Sequence, residues 1–75
     1  MRLFASARDA AGRGRDVIDA PTVAALVDVA RERYGPTFVA VLRTSRIWVN
    51  GEAAADDTPI GPGDEVAILP PVSGG

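Results

Sequence analysis

Three side-chain types that carry much of protein chemistry are missing from this sequence of 75 residues: cysteine, histidine and lysine. Without cysteine neither a disulfide nor a thiolate nucleophile can form, and without histidine no imidazole can act as acid or base. Metal sites built from these residues are excluded too, and we expect no bound metal or cofactor. All eight basic residues are arginines, so no side-chain amine can accept an isopeptide bond.

The sequence also lacks a strong charge of one sign and long apolar runs. Its formal net charge is −2, which is too small to favour nucleic acid or a membrane surface as partner. No apolar run has the length of a membrane span, and no stretch resembles a signal peptide. We therefore expect a cytoplasmic protein with a single domain over residues 1–75, divided into a globular body (1–69) and an extended tail (70–75).

The C-terminal stretch is the most distinctive part of the sequence. Gly61–Asp64 has the composition of a turn, and Glu65–Leu69 is a short apolar strand candidate. Pro70 and Pro71 have no N–H group to donate, so strand pairing should stop there. Together with Val72–Gly75 they can span roughly 20 Å when extended. That length is sufficient to thread a terminal carboxylate into a pocket of another protein.

The N-terminal residues predict a β-hairpin. Alternation over Met1–Arg8 indicates a strand that points Leu3 into the core. Asp9–Gly14 reads as the hairpin loop, and Arg15–Asp19 as the return strand with Val17 facing inward.

A helix follows, and it carries the clearest periodicity in the chain. Thr22 is the expected N-cap, and Gly35 suits the left-handed position after the last turn. A shorter helix is predicted through Phe38, Val41 and Leu42. The apolar stripe of the first helix consists of Val23, Leu26, Val27, Ala30 and Tyr34.

The remaining elements predict a second hairpin before the final strand. Ser45–Val49 alternates, Asn50-Gly51 is a strong turn signal, and Glu52–Ala54 returns. One amphipathic helix can cover one face of a mixed sheet of four to five strands. Setting the first and last strands side by side, parallel, at the centre of the sheet gives an α+β fold of the β-grasp (ubiquitin-like) type.

This arrangement predicts a docking surface. If Leu3 points to the helix, its neighbour Phe4 points to the opposite face of the sheet, together with Trp48, Ala67 and Leu69. Large apolar side chains on an uncovered sheet face are typical of an interaction site. The alternative is that Trp48 belongs to the core.

The sequence resembles the ubiquitin-like sulfur carriers, and most closely the small subunit of molybdopterin synthase. The resemblance covers essentially the whole chain, and its most specific part is the ending Leu69-Pro70-Pro71-Val72-Ser73-Gly74-Gly75. Further matches are Leu3-Phe4-Ala5, Pro21-Thr22-Val23, Val49-Asn50 and Gly63-Asp64-Glu65-Val66-Ala67.

The resemblance implies a chemical cycle at the C-terminus. A ubiquitin-activating-like adenylyltransferase would use ATP to adenylate Gly75, and a sulfur donor would convert the adenylate to a thiocarboxylate. The large synthase subunit, in a heterotetramer, would then take up the tail and pass the sulfur to a pterin precursor. Gly74 would give clearance, while Leu69 to Ser73 would position the tail. The carrier itself would not be an enzyme.

Three other interpretations remain open. The same chemistry serves carriers for thiazole, cysteine or secondary-metabolite sulfur. A ubiquitin-like module could instead bind through the Phe4–Trp48–Leu69 face without reacting. Finally, the acidic pairs Asp56-Asp57 and Asp64-Glu65 could act as acid and base in an enzyme, although such pairs in turns are usually solvated or capping residues.

Overall fold

The computed structural model describes residues 1–71 as three helices and a four-stranded mixed sheet. The strands lie in the order β1-β4-β2-β3, with β1 parallel to β4 and the other pairs antiparallel. The α+β prediction is therefore confirmed. The elements are β1 (Arg2–Leu3), α1 (Ala5–Ala11), α2 (Val23–Tyr34), α3 (Pro36–Leu42), β2 (Arg46–Val49), β3 (Glu52–Ala53) and β4 (Val66–Leu69).

The first and last strands are neighbours, as predicted, but they do not share the centre of the sheet. Arg2 pairs with Ala67 and Leu3 with Ile68, in parallel. β4 also pairs with β2 over its whole length, so β4 and β2 are the central strands. At the outer edge of β1, on the side away from β4, the described residues form an isolated antiparallel bridge between Arg2 and Arg15 instead of a further strand.

The predicted N-terminal hairpin is wrong. The strand expected over Met1–Arg8 ends at Leu3, and Ala5–Ala11 forms α1 instead of continuing it into a loop. The alternation was misleading because the small residues of this segment fit a helical period as well, and alanine is the best helix former. From the helix, Ala7 is fully buried in the core. Gly12 ends α1 with φ 77°, and its N–H donates to the carbonyl of Arg8.

The expected return strand over Arg15–Asp19 is wrong as well. Val17, which was predicted to face inward, is 83% exposed. The side chain that points toward the body is that of Asp16, whose carboxylate accepts hydrogen bonds from Tyr34 and Arg33. A shift of one residue along an extended segment exchanges its two faces, and here a polar contact decides the register.

Helix α2 confirms the predicted N-cap, whereas Gly35 after its last turn has a positive φ with ψ −170° and not the left-handed helical conformation expected there. The Thr22 hydroxyl accepts a hydrogen bond from the Ala25 N–H at 3.2 Å, which satisfies one of the free donors of the first turn. Gly35 separates the two helices with φ 87°, and Pro36 occupies the first turn of α3, where a missing N–H costs nothing. The β2–β3 turn also forms as predicted: Asn50 and Gly51 have φ 52° and 81°, both in the left-handed region.

The core lies between the helices and one face of the sheet. It contains Phe38 of α3 and Ile68 of β4, both fully buried, and the inward orientation predicted for Leu3 and Val66 is confirmed. Each such side chain contributes about 1.5–3 kcal/mol on burial. The complete cluster is Leu3, Ala7, Val23, Leu26, Val27, Ala30, Phe38, Leu42, Val66 and Ile68.

Candidate functional site

Strand β4 gives the C-terminal tail a fixed origin. It is hydrogen-bonded on both sides, by β1 and β2, and its residues alternate between buried and half-buried. Pro70 directly after it is buried, whereas Pro71 is exposed. The predicted site residues Val72, Ser73, Gly74 and Gly75 lie outside the described residues. The described chain therefore ends at Pro71, four residues before the predicted reacting group at Gly75.

The sheet register brings three of the predicted docking residues together. Trp48 of β2 lies opposite Ala67 of β4, and Arg46 lies opposite Leu69. Paired residues share a face of the sheet, and here it is the face opposite the buried Ile68. Trp48, Ala67 and Leu69 are each half-buried. The structure thus places the Trp48 side chain on the face away from the helices rather than in the core.

Phe4 extends this face beyond β1. Its backbone is still extended (φ −121°, ψ 153°), and its N–H donates to the carbonyl of Ile68 at 3.3 Å. Phe4 is 38% exposed, and the guanidinium carbon of Arg2 lies 5.7 Å from its ring centroid. That distance is typical of a cation–π contact. We call Phe4, Trp48, Ala67 and Leu69 the outer patch.

Basic side chains border the outer patch. Arg2 Nε lies 3.6 Å from a carboxylate oxygen of Glu65, and Arg15 Nη2 lies 3.7 Å from the same oxygen. The side chains of Arg2 and Glu65 are about half exposed and that of Arg15 is mostly exposed, so each pair contributes at most about 1 kcal/mol. Arg46 is exposed at the end of β2, beside Leu69. An apolar surface with basic residues at its rim suits a partner surface that is apolar with acidic residues around it.

A polar clamp, which sequence reasoning missed, fixes the start of β4. The Asn50 amide donates to Asp64 Oδ1 at 3.0 Å and accepts from the Glu65 N–H at 2.9 Å, while the Asn50 N–H donates to the Glu65 carbonyl. Asn50 and the Gly61 N–H lower the pKa of Asp64 because both donate to its carboxylate. The sequence alone could not indicate these hydrogen bonds, because the Asn-Gly turn motif already accounts for an asparagine at position 50.

A second polar cluster, also missed, surrounds Asp16. The Tyr34 hydroxyl donates to its carboxylate, and Arg33 Nη1 donates at 2.9 Å. These bonds hold the pKa of Asp16 well below its usual range. Burial and the hydrogen bond to Asp16 together raise the pKa of Tyr34 to about 12. The cluster attaches the segment after α1 to the end of α2.

Within residues 1–71 no three potential metal ligands come together, and none of the helices there is long and apolar enough to cross a membrane. The carboxylate of Asp64, one of the acidic residues considered for an enzyme, is occupied by Asn50 and Gly61. The structure places the outer patch along β4 and β2, and β4 ends at Leu69, one residue before the predicted tail.

Comparison with known proteins gives a consistent result. The sequence model of the ThiS family matches residues 1–75. The crystal structure of SAMP1 from Haloferax volcanii is 33% identical, with 99% of this chain and 94% of that chain covered and a TM-score of 0.79. A second structure, of H. volcanii small archaeal modifier protein 1, is 30% identical, covering 95% and 93% with a TM-score of 0.75. The solution structure of SAMP1 from Methanosarcina acetivorans is 27% identical, covering 99% and 92% with a TM-score of 0.86.

Proposed function

The chain belongs to the ThiS family, and on that premise we propose that it carries sulfur as a thiocarboxylate at Gly75. Its family and its likeness to SAMP1 give it a sulfur-carrier or ubiquitin-like role. The proposal of a thiocarboxylate at Gly75 rests on the match of the family model over residues 1–75, which includes Gly74 and Gly75. Proteins of this kind are generally not catalysts, so the reaction steps belong to partners.

The proposed cycle begins with activation of the terminus. A carboxyl terminus has an unperturbed pKa of about 3.5, so at neutral pH Gly75 is ionised and nucleophilic. One of its oxygens attacks the α-phosphorus of ATP in an adenylating enzyme, and pyrophosphate leaves. The sulfur of a hydrosulfide-equivalent donor then attacks the acyl carbon, and AMP leaves. The product is a thiocarboxylate, which keeps the negative charge and now carries sulfur.

The residues of the tail fit this chemistry. Gly74 and Gly75 have no side chain, so a narrow channel can close around the backbone and leave the acyl carbon unhindered. Pro70 and Pro71 restrict the backbone before binding, which lowers the entropy lost on insertion. Because the chain has no cysteine, its side chains offer no thiol as an alternative place to carry the sulfur.

For the acceptor, we propose a pterin precursor held by the large subunit of molybdopterin synthase. The Pro-Pro-Val-Ser sequence before the two glycines supports this choice over a thiazole, cysteine or secondary-metabolite acceptor. Discharge of the loaded carrier against purified acceptor enzymes of each type distinguishes these possibilities. Only the correct acceptor returns the terminus to a carboxylate at a catalytic rate.

The outer patch is the proposed binding surface for these partners. It includes Leu69, the last residue of β4, so a protein that binds Phe4 and Trp48 is close to the start of the tail. Truncating Trp48 to alanine should lower affinity for the activating enzyme by at least tenfold, as expected for a buried aromatic anchor. The matched control is Thr37→Ala, which removes an exposed side chain from α3 on the opposite side of the sheet.

The decisive experiment is the intact mass of the protein after incubation with its adenylating enzyme, ATP and a sulfide source. The expected change is replacement of one oxygen by one sulfur. Deletion of Gly75, or addition of one alanine after it, should abolish the change while leaving the melting temperature intact. A carrier that is activated equally well with the added residue would disprove the proposal.

A second candidate is a protein modifier, and the likeness to the small archaeal modifier proteins favours it. In that case the activated acyl group of Gly75 would pass to a lysine of another protein, with loss of AMP. Mass spectrometry of cell extracts distinguishes the two functions, because only a modifier leaves the C-terminal residues joined to acceptor lysines.

A further inference from the structure

Asn50 carries the only side-chain amide of the protein. The sequence contains one asparagine and no glutamine, and the residue that follows the asparagine is Gly51. Asparagine is among the thermally labile residues, and its reactivity depends on the residue after it. Because glycine has no side chain, it leaves its own backbone nitrogen unhindered. Both residues of the pair are exposed, so the amide, a nitrogen nucleophile and water meet in the β2–β3 turn.

Deamidation of such a pair takes two steps and consumes only water. The Gly51 nitrogen attacks the side-chain carbonyl carbon of Asn50, forming a new C–N bond. The C–N bond of the amide breaks, and ammonia leaves with the proton that the nitrogen has lost to solvent. Water then opens the resulting succinimide ring. Attack at the side-chain carbonyl gives aspartate, whereas attack at the main-chain carbonyl gives isoaspartate, in which the main chain contains an additional methylene group.

The polar clamp restrains Asn50 in the folded protein. The side-chain nitrogen donates to Asp64 Oδ1 at 3.0 Å, and the side-chain oxygen accepts from the Glu65 N–H at 2.9 Å. The Asn50 N–H also donates to the Glu65 carbonyl at 2.8 Å. Ring closure turns the amide toward the Gly51 nitrogen, so it cannot occur while both side-chain hydrogen bonds are kept. The reaction therefore requires a local opening of the clamp.

The product of the reaction cannot form the clamp again. A carboxylate has no N–H group, so the hydrogen bond to Asp64 is lost. Aspartate side chains are ionised at neutral pH, so two negative charges then face each other where a donor met an acceptor. Asp64 lies two residues before Val66, the first residue of β4, and the repulsion therefore acts on the start of that strand. In the isoaspartate product, the added methylene group also lengthens the turn that sets the pairing of β2 with β3.

We propose that Asn50 is a modification site whose conversion to aspartate or isoaspartate is held back by Asp64 and Glu65, and that this conversion irreversibly loosens the start of β4. The clamp and the reaction exclude each other, because both use the same amide group. Chemical ageing of one turn residue is thereby coupled to the strand from which the tail emerges. The site involves residues 50–65 and does not depend on the chemistry proposed for Gly75.

Ammonia release from the purified protein tests the protection. Because Asn50 is the only side-chain amide, the ammonia and a more acidic species on ion exchange both report this one residue. At mildly alkaline pH, Asp64→Ala should release ammonia about three- to tenfold faster than the wild type, as expected for the loss of one hydrogen bond. The matched control is Asp9→Ala, which removes an exposed carboxylate from α1 and should leave the rate unchanged. An isolated peptide of residues 45–55 gives the rate without protection.

The consequence for β4 is tested with Asn50→Asp, which produces the aspartate form directly. Its melting temperature should be lower than that of the wild type, and the protection of the residue 50 amide against hydrogen exchange should fall about three- to tenfold. Combining it with Asp64→Asn exchanges donor and acceptor, because the amide at position 64 can donate to the carboxylate at position 50 and still accept from the Gly61 N–H. The double variant should regain most of the lost melting temperature.

Three results would overturn the proposal. The first is ammonia release from the wild type as fast as from the peptide of residues 45–55, because the clamp would then give no protection. The second is a rate for Asp64→Ala that is equal to or below that of the wild type, because Asp64 would then not restrain the amide. The third is a melting temperature of Asn50→Asp equal to that of the wild type. If Asp64→Ala does not fold, Asp64→Asn keeps an oxygen for the Gly61 N–H and provides the same comparison.

Discussion

Removing one hydroxyl group, in Tyr34→Phe, should measurably destabilise the protein. The Tyr34 hydroxyl donates to the carboxylate of Asp16, whose side chain is only 12% exposed. Hydrogen bonds to charged groups contribute about 1.5–3 kcal/mol. We expect about 1–2 kcal/mol here, because Asp16 keeps its bond to Arg33 in the variant. The ring contact with Phe38, at 5.0 Å between centroids, is preserved.

In a domain of this size, a loss of 1 kcal/mol lowers the melting temperature by about 4–8 °C. The expected decrease for Tyr34→Phe is therefore about 4–16 °C at pH 7, measured by circular dichroism. The control is Asp28→Asn, which removes an exposed pair with Arg31 within one helix and should cost at most about 0.5 kcal/mol.

The same cluster predicts how stability depends on pH. The pKa of Asp16 is lower in the folded protein than in the unfolded chain, so its contribution is present above pH 4 and decreases as the pH falls through the acid range. The pKa of Tyr34 is raised to about 12, so its contribution is lost as the pH rises from about 10 toward that value. Tyr34 is the only tyrosine, and its tyrosinate absorbance reports the alkaline step directly. A Tyr34→Phe variant with wild-type melting at pH 7, or a tyrosine that titrates near pH 10, would refute this reasoning.

Three further predictions concern the sheet and its turns. Ile68→Ala removes a fully buried side chain from a central strand and should lower the free energy of unfolding by about 2–5 kcal/mol. Trp48→Ala, on the half-buried outer face, should lower it by less. Urea unfolding compares the two variants, and an equal or larger loss for Trp48→Ala would show that Trp48 belongs to the core. Asn50→Gly keeps the left-handed φ of the turn but removes the side-chain hydrogen bonds with Asp64 and Glu65. We expect the free energy of unfolding to fall by about 1 kcal/mol in the same assay. An unchanged midpoint of urea unfolding would show that the polar clamp does not contribute to stability. Gly51→Ala should cost about 1 kcal/mol because its φ of 81° is strained for any residue with a Cβ. Hydrogen exchange of the Ala54 amide, which donates to the Ile47 carbonyl at 3.0 Å, should increase, and unchanged exchange would contradict that explanation.

The parts of the fold that sequence predicted well are those with strong local signals. Helix α2 has a regular apolar stripe and a capping threonine, and the β2–β3 turn has Asn-Gly at the two positions that require positive φ. Such signals act within a few residues and need no tertiary context. The parallel pairing of β1 with β4 followed from the order of the elements rather than from either strand alone, whereas the position of β1 at the edge of the sheet was not predicted.

The prediction for the N-terminal region was wrong for a physical reason. Small residues between Ala5 and Ala11 are compatible with both a helix and a strand, and the choice is made by what the segment packs against. In the structure α1 packs on α3 and β4, with Ala7 in the core. The clusters around Asp16 and Asn50 join residues 14 to 18 positions apart, so no local pattern could indicate them.

The burial of Pro70 has a consequence for any enzyme that acts on the terminus. Because Pro70 is packed in the body of the protein, only the five residues Pro71 to Gly75 can span the distance from the body to the catalytic centre of a partner enzyme. Five residues reach at most about 18 Å. If Gly75 is the reacting group, an activating enzyme and a sulfur acceptor must each bring their reactive atoms within that radius of the sheet. Two enzymes with different chemistry would then be constrained to active sites of similar depth.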